Sequence, residues 1–423
     1  MAVPTKYDIG FEEALATTLR VLTPLEPVDV PIGEAEGLVA AQDCVAHTDC
    51  PSASISLKDG YAVVATDLTD ASATRPVRLK VVGTALAGGD AEATVRSGTA
   101  VKITSGARLP PGADAILASE FTSEENEWVL CFRNAGTRRN ILERGCDVLK
   151  GKRIVARGGV LTPAKTGWLA AGGIARVQVH PRPQIGIIAV GDEVVAPGKP
   201  LTDGQLYASN LVTLRSWLRR FHMDAEIAVI GDHREHLARQ AASMLERVDV
   251  ILTSGGAWKS DRDLTVDVLK AMGTDLVFHR ARMGPGKAVA LLVIEGKALF
   301  CLPGGPPSNE MAFLQIALPG LLHLSGKSPI PFEHRLATLT RRVSGDKDWT
   351  QFLYATLQYN DNQWFANPLE MTSRLQAQAN AEALIKIPEG VEYLDSQAKT
   401  WVQVLHDHHD PAGAMCGGEG DRQ

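Results

Sequence analysis

The chain has 423 residues, 43 basic and 49 acidic side chains, a net charge of −6, and 45% apolar against 22% charged residues. At about 100–200 residues per domain this length gives two to four domains, and the ordinary composition excludes wholesale disorder. Mild acidity argues against a general nucleic-acid binder, which needs a basic face to displace phosphate counterions, but leaves room for a local basic pocket holding a small anion.

The N-terminus, MAVPTKYDIGFEEALATTLRVL, carries acids and a lysine where a secretory signal needs an apolar core. No run approaches the ~18–20 apolar residues of a membrane span. The six cysteines (Cys44, Cys50, Cys131, Cys146, Cys301, Cys416) have no C-x-x-C spacing, so neither a disulfide framework nor a zinc site is expected. The expectation is a soluble, cytoplasmic, multidomain protein without membrane or nucleic-acid partners.

Residues 11–22 place apolar side chains at helical spacing behind Glu12 and Glu13, predicting an amphipathic helix. From Pro27 to about Val179, short apolar runs such as VRLKVV, TAVKIT and WVLCF alternate with turn clusters, predicting a mainly β region. One helix is expected at 163–171, with Pro163 at its start and Gly172-Gly173 behind it. After Pro181-Arg182-Pro183, the β-type runs IGIIAV, AEIAVIG, VDVILTS and ALFCL alternate with helical stretches at 210–221, 235–247, 263–272 and 308–324. That alternation predicts βαβ units and a largely parallel sheet, with ligands outside the carboxyl ends of the strands. Short strands return from about 327 to 405, predicting a small β-barrel or sandwich. The tail from 406 holds His406, His408 and His409, which could bind a metal in solution, although a solvated, disordered tail is the plainer reading.

The chemistry falls in the loops after the parallel strands. Ser254-Gly255-Gly256, Leu302-Pro303-Gly304-Gly305-Pro306-Pro307-Ser308 and Met283-Gly284-Pro285-Gly286-Lys287 are turns whose glycines allow backbone N–H groups to approach an anion. Any one of them is ordinarily just a turn; three together indicate a phosphate-bearing ligand. None matches a P-loop or a G-x-G-x-x-G fingerprint, which disfavours ATP hydrolysis and dinucleotide redox chemistry. Asp192, Glu193, Asp232 and Asp263 follow strands beside these turns and could hold Mg²⁺ through oxygen ligands, N-capping being the structural alternative for each.

At these residues the sequence resembles the molybdopterin molybdenumtransferase family, the MoeA protein and the E domain of gephyrin. The resemblance runs in order from about residue 7 to 405. It covers Lys58-Asp59-Gly60-Tyr61-Ala62-Val63, Thr104-Ser105-Gly106-Ala107, Pro111-Gly112-Ala113-Asp114, Asn140-Ile141 with Arg144-Gly145 and Asp147, Gly191-Asp192-Glu193, Asp203-Gly204-Gln205-Leu206-Tyr207 with Asn210, Ser254-Gly255-Gly256, Pro285-Gly286-Lys287 and Leu302-Pro303-Gly304. It implies a multidomain α/β plus β fold: an elongated four-domain MoeA-like architecture with a three-layer α/β/α pterin-binding domain and a C-terminal β-barrel. The implied divisions are 1–50 with 140–180 (I), 51–139 (II), 181–326 (III) and 327–405 (IV), followed by the tail 406–423.

The implied reaction takes adenylylated molybdopterin and molybdate, hydrolyses the adenylate with Mg²⁺, and releases molybdenum cofactor and AMP. By the resemblance Asp59, Ser105, Glu193, Asp232 and Asp263 are catalytic, and Glu193, Asp232 and Asp263 hold the metal. Ser254, Gly255, Gly256, Lys287, Pro303, Gly304, Ser308 and Ser373 bind the pterin nucleotide. A homodimer is implied, with each cleft formed by the sheet domain of one protomer and the β domain of the other. A molybdopterin adenylyltransferase and a recipient molybdoenzyme are possible protein partners.

The chain departs from the family pattern inside its motifs. D-N-S-A-M-D-G-Y-A is here Ser54-Ile55-Ser56-Leu57-Lys58-Asp59-Gly60-Tyr61-Ala62, and the Gly-Gly loop gains Trp258 and Lys259. Gly284 and Gly305 replace a lysine and an asparagine, and Cys146 stands where an acid is usual. These changes support an alternative: a non-catalytic or tungstate-specific paralogue that binds or delivers the pterin cofactor.

Overall fold

The computed structural model describes residues 6–89, 93–255 and 264–406. Gly256, Trp258, Lys259, Asp263, His408, His409 and Cys416 lie outside the described residues. Residue contacts divide the chain into two compact units, 1–26 with 180–423, and 27–179.

The first unit is built on a central strand, β1 (Ile185–Val190), whose six residues are all buried. A strand covered on both faces needs a continuous apolar run, which IGIIAV supplies. Strands β2 (Ala225–Ile230), β3 (Val250–Gly255) and β6 (Lys297–Leu302) extend it in parallel in the order β2-β1-β3-β6. β4 (Asp275–Gly284) and β5 (Ala290–Ile294) continue it antiparallel beyond β6. Ile185, Ile187 and Ala189 pack on one face with helix Ser209–Arg220, while Ile188 and Val190 pack on the other with helix Arg234–Leu245. This is the expected three-layer α/β/α arrangement.

The N-terminal segment joins this unit. Strand Lys6–Gly10 pairs in parallel with β4, and helix Phe11–Val21 buries Phe11 and Ala14 in the same core as Ile187. The helix expected at 308–324 is found as Pro306–Ala312, a π-type turn Phe313–Ala317, and Leu318–Leu324. Pro319 explains the interruption: it has no N–H and its ring crowds the carbonyl four residues back, which a wider turn relieves.

The C-terminal strands close into a five-stranded barrel. β7 (His334–Leu339), β8 (Thr350–Asn360), β9 (Gln363–Pro368), β10 (Ala383–Ile387) and β11 (Lys399–Val404) pair in the circular order β8-β9-β7-β11-β10-β8. Leu339, Leu357, Ile385 and Val402 fill its interior. His406, assigned to the tail, stacks on Trp217 with ring centroids 5.6 Å apart.

The second unit contains a six-stranded sheet in the order 122–125, 128–131, 77–85, 99–103, 60–63, 115–118. Separate cores cover its faces, one around Tyr61, Leu79 and Val129, the other around Ala62, Ile103 and Ile116. Its helix falls at Pro163–Ala171 as predicted, with the Thr162 hydroxyl accepting the Lys165 N–H. Among the described residues no helix is long and apolar enough to cross a membrane. None of the five described cysteines is disulfide-bonded.

One surface cluster sets an acid limit on the first unit. Asp224 accepts from Arg215 at 2.7 and 3.2 Å, from the Ala225 N–H at 2.8 Å and from Arg219 at 3.1 Å. These bonds, led by Arg215, hold its carboxyl far below the usual carboxylate range. A depressed folded-state value adds stability that is complete above the unfolded value of about 3.9 and is lost as pH falls below it. Asp224→Asn should therefore flatten the fall in melting temperature between about pH 4 and pH 2, measured by thermal scans across that range.

Candidate functional site

The strand order fixes where a ligand can enter. From β1 the chain crosses to β2 on one side, then returns past β1 to β3 on the other. The connections leave a crevice outside the carboxyl ends of β1 and β3, the switch point of an open α/β sheet. Glu193, Asp232, Ser254, Gly255, Pro303, Gly304 and Ser308 all follow or end the parallel strands at this end of the sheet.

One of these loops requires glycine, and glycines mark close approaches at two others. At Gly255, φ is +93° and a Cβ would sit 2.4 Å from the Val190 carbonyl oxygen. A Cβ on Gly304 would lie 3.4 Å from the Gly255 Cα, so the loops after β3 and β6 touch through bare backbone. At Gly231 a Cβ would meet the Asp192 carboxylate at 2.4 Å, and that carboxylate accepts the Asp232 N–H at 3.1 Å. Asp192 thus fastens the turn after β2 to the turn after β1, while Glu193 and Asp232 are exposed at adjacent strand ends.

Ser254 is only 5% exposed and sits between two amides. Asn210 Nδ2 donates to its Oγ at 3.1 Å and to the Gly304 carbonyl at 2.8 Å. Asn309 Nδ2 donates to the same Oγ at 3.0 Å and to the Pro303 carbonyl at 2.8 Å. Backbone carbonyls only accept, so each amide must present its nitrogen, and the Ser254 oxygen accepts twice. Its own O–H is then left as a donor. The two amides also tie the loop after β3 to the loop after β6. Asn309 was not singled out from sequence; its position one residue after Ser308 was the available signal.

The remaining predicted residues are placed differently. Lys287 is exposed on the hairpin joining β4 and β5, its ammonium 4.6 Å above the Trp349 ring. Ala290 pairs with Cys301, so this hairpin emerges at the sheet end that carries Pro303 and Gly304. Ser373 is exposed, and its hydroxyl accepts the Gln376 N–H at 3.4 Å as the N-cap of helix Arg374–Ala379. Its neighbour Arg374, not predicted, reaches the loop after β6: a Cβ on Gly305 would be 3.9 Å from its Nη1.

Asp59 and Ser105 belong to the second unit, where the Ser105 N–H donates to Asp59 Oδ1 at 2.8 Å. They adjoin a cavity of about 400 Å³ lined in part by Asp59, Tyr61, Lys102, Thr104 and Glu124. In it Glu124 accepts from Tyr61 at 2.6 Å and from Lys102 at 2.5 Å. Burial first, then this carboxylate, push the Tyr61 phenol well above its ordinary value, so it stays protonated. Cys146 is exposed with its thiol 3.7 Å from Asp147 Oδ1, and partial desolvation followed by that carboxylate raises it. Cys301 is buried in β6 as an apolar residue.

Gly256 and Asp263 fall outside the described residues. Among the described residues no group of three His, Cys, Asp or Glu side chains could hold a metal ion. Glu193 and Asp232 are hard oxygen donors at neighbouring strand ends, a pair that suits Mg²⁺, which keeps several waters and takes one or two protein carboxylates.

Comparison with known proteins gives consistent matches. Residues 9–173 match the MoeA N-terminal region (domains I and II), and residues 186–323 match a probable molybdopterin-binding domain. Molybdopterin molybdenumtransferase 2 of Mycobacterium tuberculosis is 31% identical over 408 residues, covering 93% of this chain and 98% of the relative. The molybdopterin molybdenumtransferase of Haemophilus influenzae is 31% identical over 329 residues, covering 76% and 80%. A crystal structure of a molybdopterin biosynthesis MoeA protein from Pyrococcus horikoshii superposes with a TM-score of 0.81 at 30% identity, covering 95% of this chain and 100% of that one.

Proposed function

Because this chain belongs to the MoeA family of molybdopterin molybdenumtransferases, we propose that it is an enzyme of molybdenum cofactor biosynthesis, inserting molybdenum from molybdate into adenylylated molybdopterin with release of AMP. The observation that carries this reading is the switch-point crevice, where a buried serine hydroxyl is left as a donor at the sheet end that also carries two exposed carboxylates.

Cleaving a phosphoanhydride needs fixed donors around the phosphates and compensation of the charge that develops on their oxygens. The Ser254 O–H supplies a donor, and Gly255 and Gly304 let phosphoryl oxygens reach the backbone. Lys287 and Arg374 supply positive charge. Glu193 and Asp232, with Asp263, would hold Mg²⁺, which when bound offers a Lewis-acid charge to the phosphoryl oxygens. Asp59 and Ser105 form a prearranged acceptor and donor pair that we include in the same reaction. Gly256, Pro303, Ser308 and Ser373 complete the proposed contacts. The dithiolene sulfurs come from the pterin, so no cysteine of the chain is required.

The four-domain division, the homodimer, a cytoplasmic location, and an adenylyltransferase or recipient molybdoenzyme as partner belong to this proposal. The non-catalytic or tungstate-specific alternative is not favoured, since relatives matching over most of the chain carry the transferase name.

The test is AMP release from adenylylated molybdopterin by the purified full chain with molybdate and Mg²⁺. Glu193→Gln should lower the rate at saturating substrate by at least about tenfold, with part of the loss recovered at high Mg²⁺. A wild-type chain that binds the nucleotide tightly yet releases no AMP would overturn the catalytic reading.

A further inference from the structure

A second feature suited to an anion lies in the second unit, and one of its residues, Lys58, is next in sequence to Asp59. A cavity of about 180 Å³ is lined by Lys58, Glu120, Arg133, Asn134, Arg139 and Asn140, with other residues of the adjoining strand. The three cations make no ion pair among the described residues, whereas the nearby cations Lys102, Arg138 and Arg144 are each held by a carboxylate at 2.5–2.7 Å. Three cations against the single carboxylate of Glu120 leave two positive charges unbalanced, in a chain whose net charge is −6.

One of these cations is held through its side chain and another through its backbone. The Arg133 guanidinium lies 4.6 Å over the Phe121 ring. Arg139 is bracketed by two non-glycine residues in the left-handed region, Arg138 at φ 61° and Asn140 at φ 57°. Such a backbone is costly for arginine and persists only when its surroundings enforce it. Here they do: the Arg139 carbonyl accepts the Ile116 N–H at 3.1 Å, and Asn140 Nδ2 donates to the Ile116 carbonyl at 3.0 Å. The Asn140 carbonyl accepts the Leu57 N–H at 2.8 Å, tying Arg139 to the segment that presents Lys58.

We propose that this pocket binds a small tetrahedral oxyanion carrying two negative charges, the class of molybdate, sulfate and hydrogen phosphate. Its unbalanced charge matches a dianion. Its volume equals about six waters at roughly 30 Å³ each, enough for one such ion with part of its hydration shell. It is smaller than the pockets of about 300 Å³ or more that ordinarily hold organic ligands, which favours a small ion over a nucleotide. Planar guanidinium donors and a point-charge ammonium are the groups that recognise oxyanions. Lys58 is also one of the residues that departs from the family pattern, where a methionine is usual.

The experiment is calorimetric titration of the full chain with molybdate, and separately with sulfate, at an ionic strength of about 0.02 M, where exposed charges are weakly screened. One saturable oxyanion, additional to any molybdate held at the crevice of the first unit, should bind per chain, with affinity reduced about tenfold in each of Lys58→Met and Arg139→Gln, and that component lost in the double variant. That component should survive in Lys287→Gln and Arg374→Gln, which remove cations only from the first unit. Preference for molybdate would identify a holding site for that ion, and equal binding of sulfate a general oxyanion site; both support the proposal. Lys58→Met introduces the family's usual residue at an exposed position, so its fold is secure even if the double variant unfolds. No saturable binding by the wild type, undiminished binding in Lys58→Met, or binding abolished by Lys287→Gln would overturn it. None of these readouts depends on catalysis, so the pocket and the proposed reaction stand or fall separately.

Discussion

Asn309→Asp should lower kcat/KM for AMP release by about a thousandfold, more than deletion of the serine hydroxyl itself in Ser254→Ala, for which a loss of about a hundredfold is expected. Asn309 is 1% exposed and uses one NH₂ group for two bonds, to Ser254 Oγ at 3.0 Å and the Pro303 carbonyl at 2.8 Å. A carboxylate of the same shape donates to neither. It faces the Pro303 carbonyl with like partial charge and becomes the strongest acceptor within reach of the Ser254 proton. The hydroxyl then turns inward, and the loop after β6 loses its tie to the loop after β3. The double variant Ser254→Ala/Asn309→Asp decides between this account and a merely damaged fold. If Asn309 acts through Ser254, the double variant is no worse than Asn309→Asp alone, because there is no hydroxyl left to turn. Additive losses would show that the asparagine acts only by holding the loops.

Why Asn309 escaped the sequence reading explains what such a reading can reach. IGIIAV, VDVILTS and ALFCL declared themselves as parallel strands because burial on both faces demands unbroken apolar runs. The Gly-Gly and Pro-Gly turns stood out because the backbone there must pass another backbone closely, as Gly255 passes Val190. Both signals are local. Asn309 and Glu310 lie in a short helix among buried residues, and apart from the nearby Pro303 carbonyl their partners are 44 to 93 residues away in sequence. Nothing nearby indicates that a polar side chain there is satisfied rather than solvated. Residue patterning alone leaves barrel and sandwich open, since the pairing of β8 with β10 that completes the ring is long-range, and it is the resemblance that supplies the barrel. The strand at Lys6–Gly10 is five residues long and becomes a strand only because β4 offers an edge. At Ser373 the resemblance implies a ligand contact, and the local geometry adds an N-cap, the hydroxyl accepting the Gln376 N–H.

Glu310→Leu should destabilise the first unit by about 3–5 kcal/mol, read as a fall in melting temperature and in the urea midpoint, while Glu310→Gln costs about 1–2 kcal/mol. The carboxylate is 4% exposed and accepts from Trp217 Nε1 at 2.7 Å and from the Tyr354 hydroxyl at 2.6 Å. It joins helix Pro306–Ala312 to helix Ser209–Arg220 and to barrel strand β8. Burial, with the carboxylate beside it, drives the Tyr354 phenol far above its ordinary value, so it remains a donor at any accessible pH. Leucine matches the glutamate in bulk but strands an indole N–H and a phenolic O–H in a dry interior, and a stranded donor costs its full desolvation. Glutamine keeps an acceptor oxygen for one donor but turns an NH₂ toward the other. The variant Glu310→Leu/Tyr354→Phe removes one orphan with its cause and should recover about 1–2 kcal/mol relative to Glu310→Leu. Because Asn309 is adjacent on the same helix, a shift of that helix also moves the amide that holds Ser254. AMP release by Glu310→Leu should therefore fall at temperatures well below its melting point, whereas Glu310→Gln, which keeps the helix in place, should retain most of its activity there.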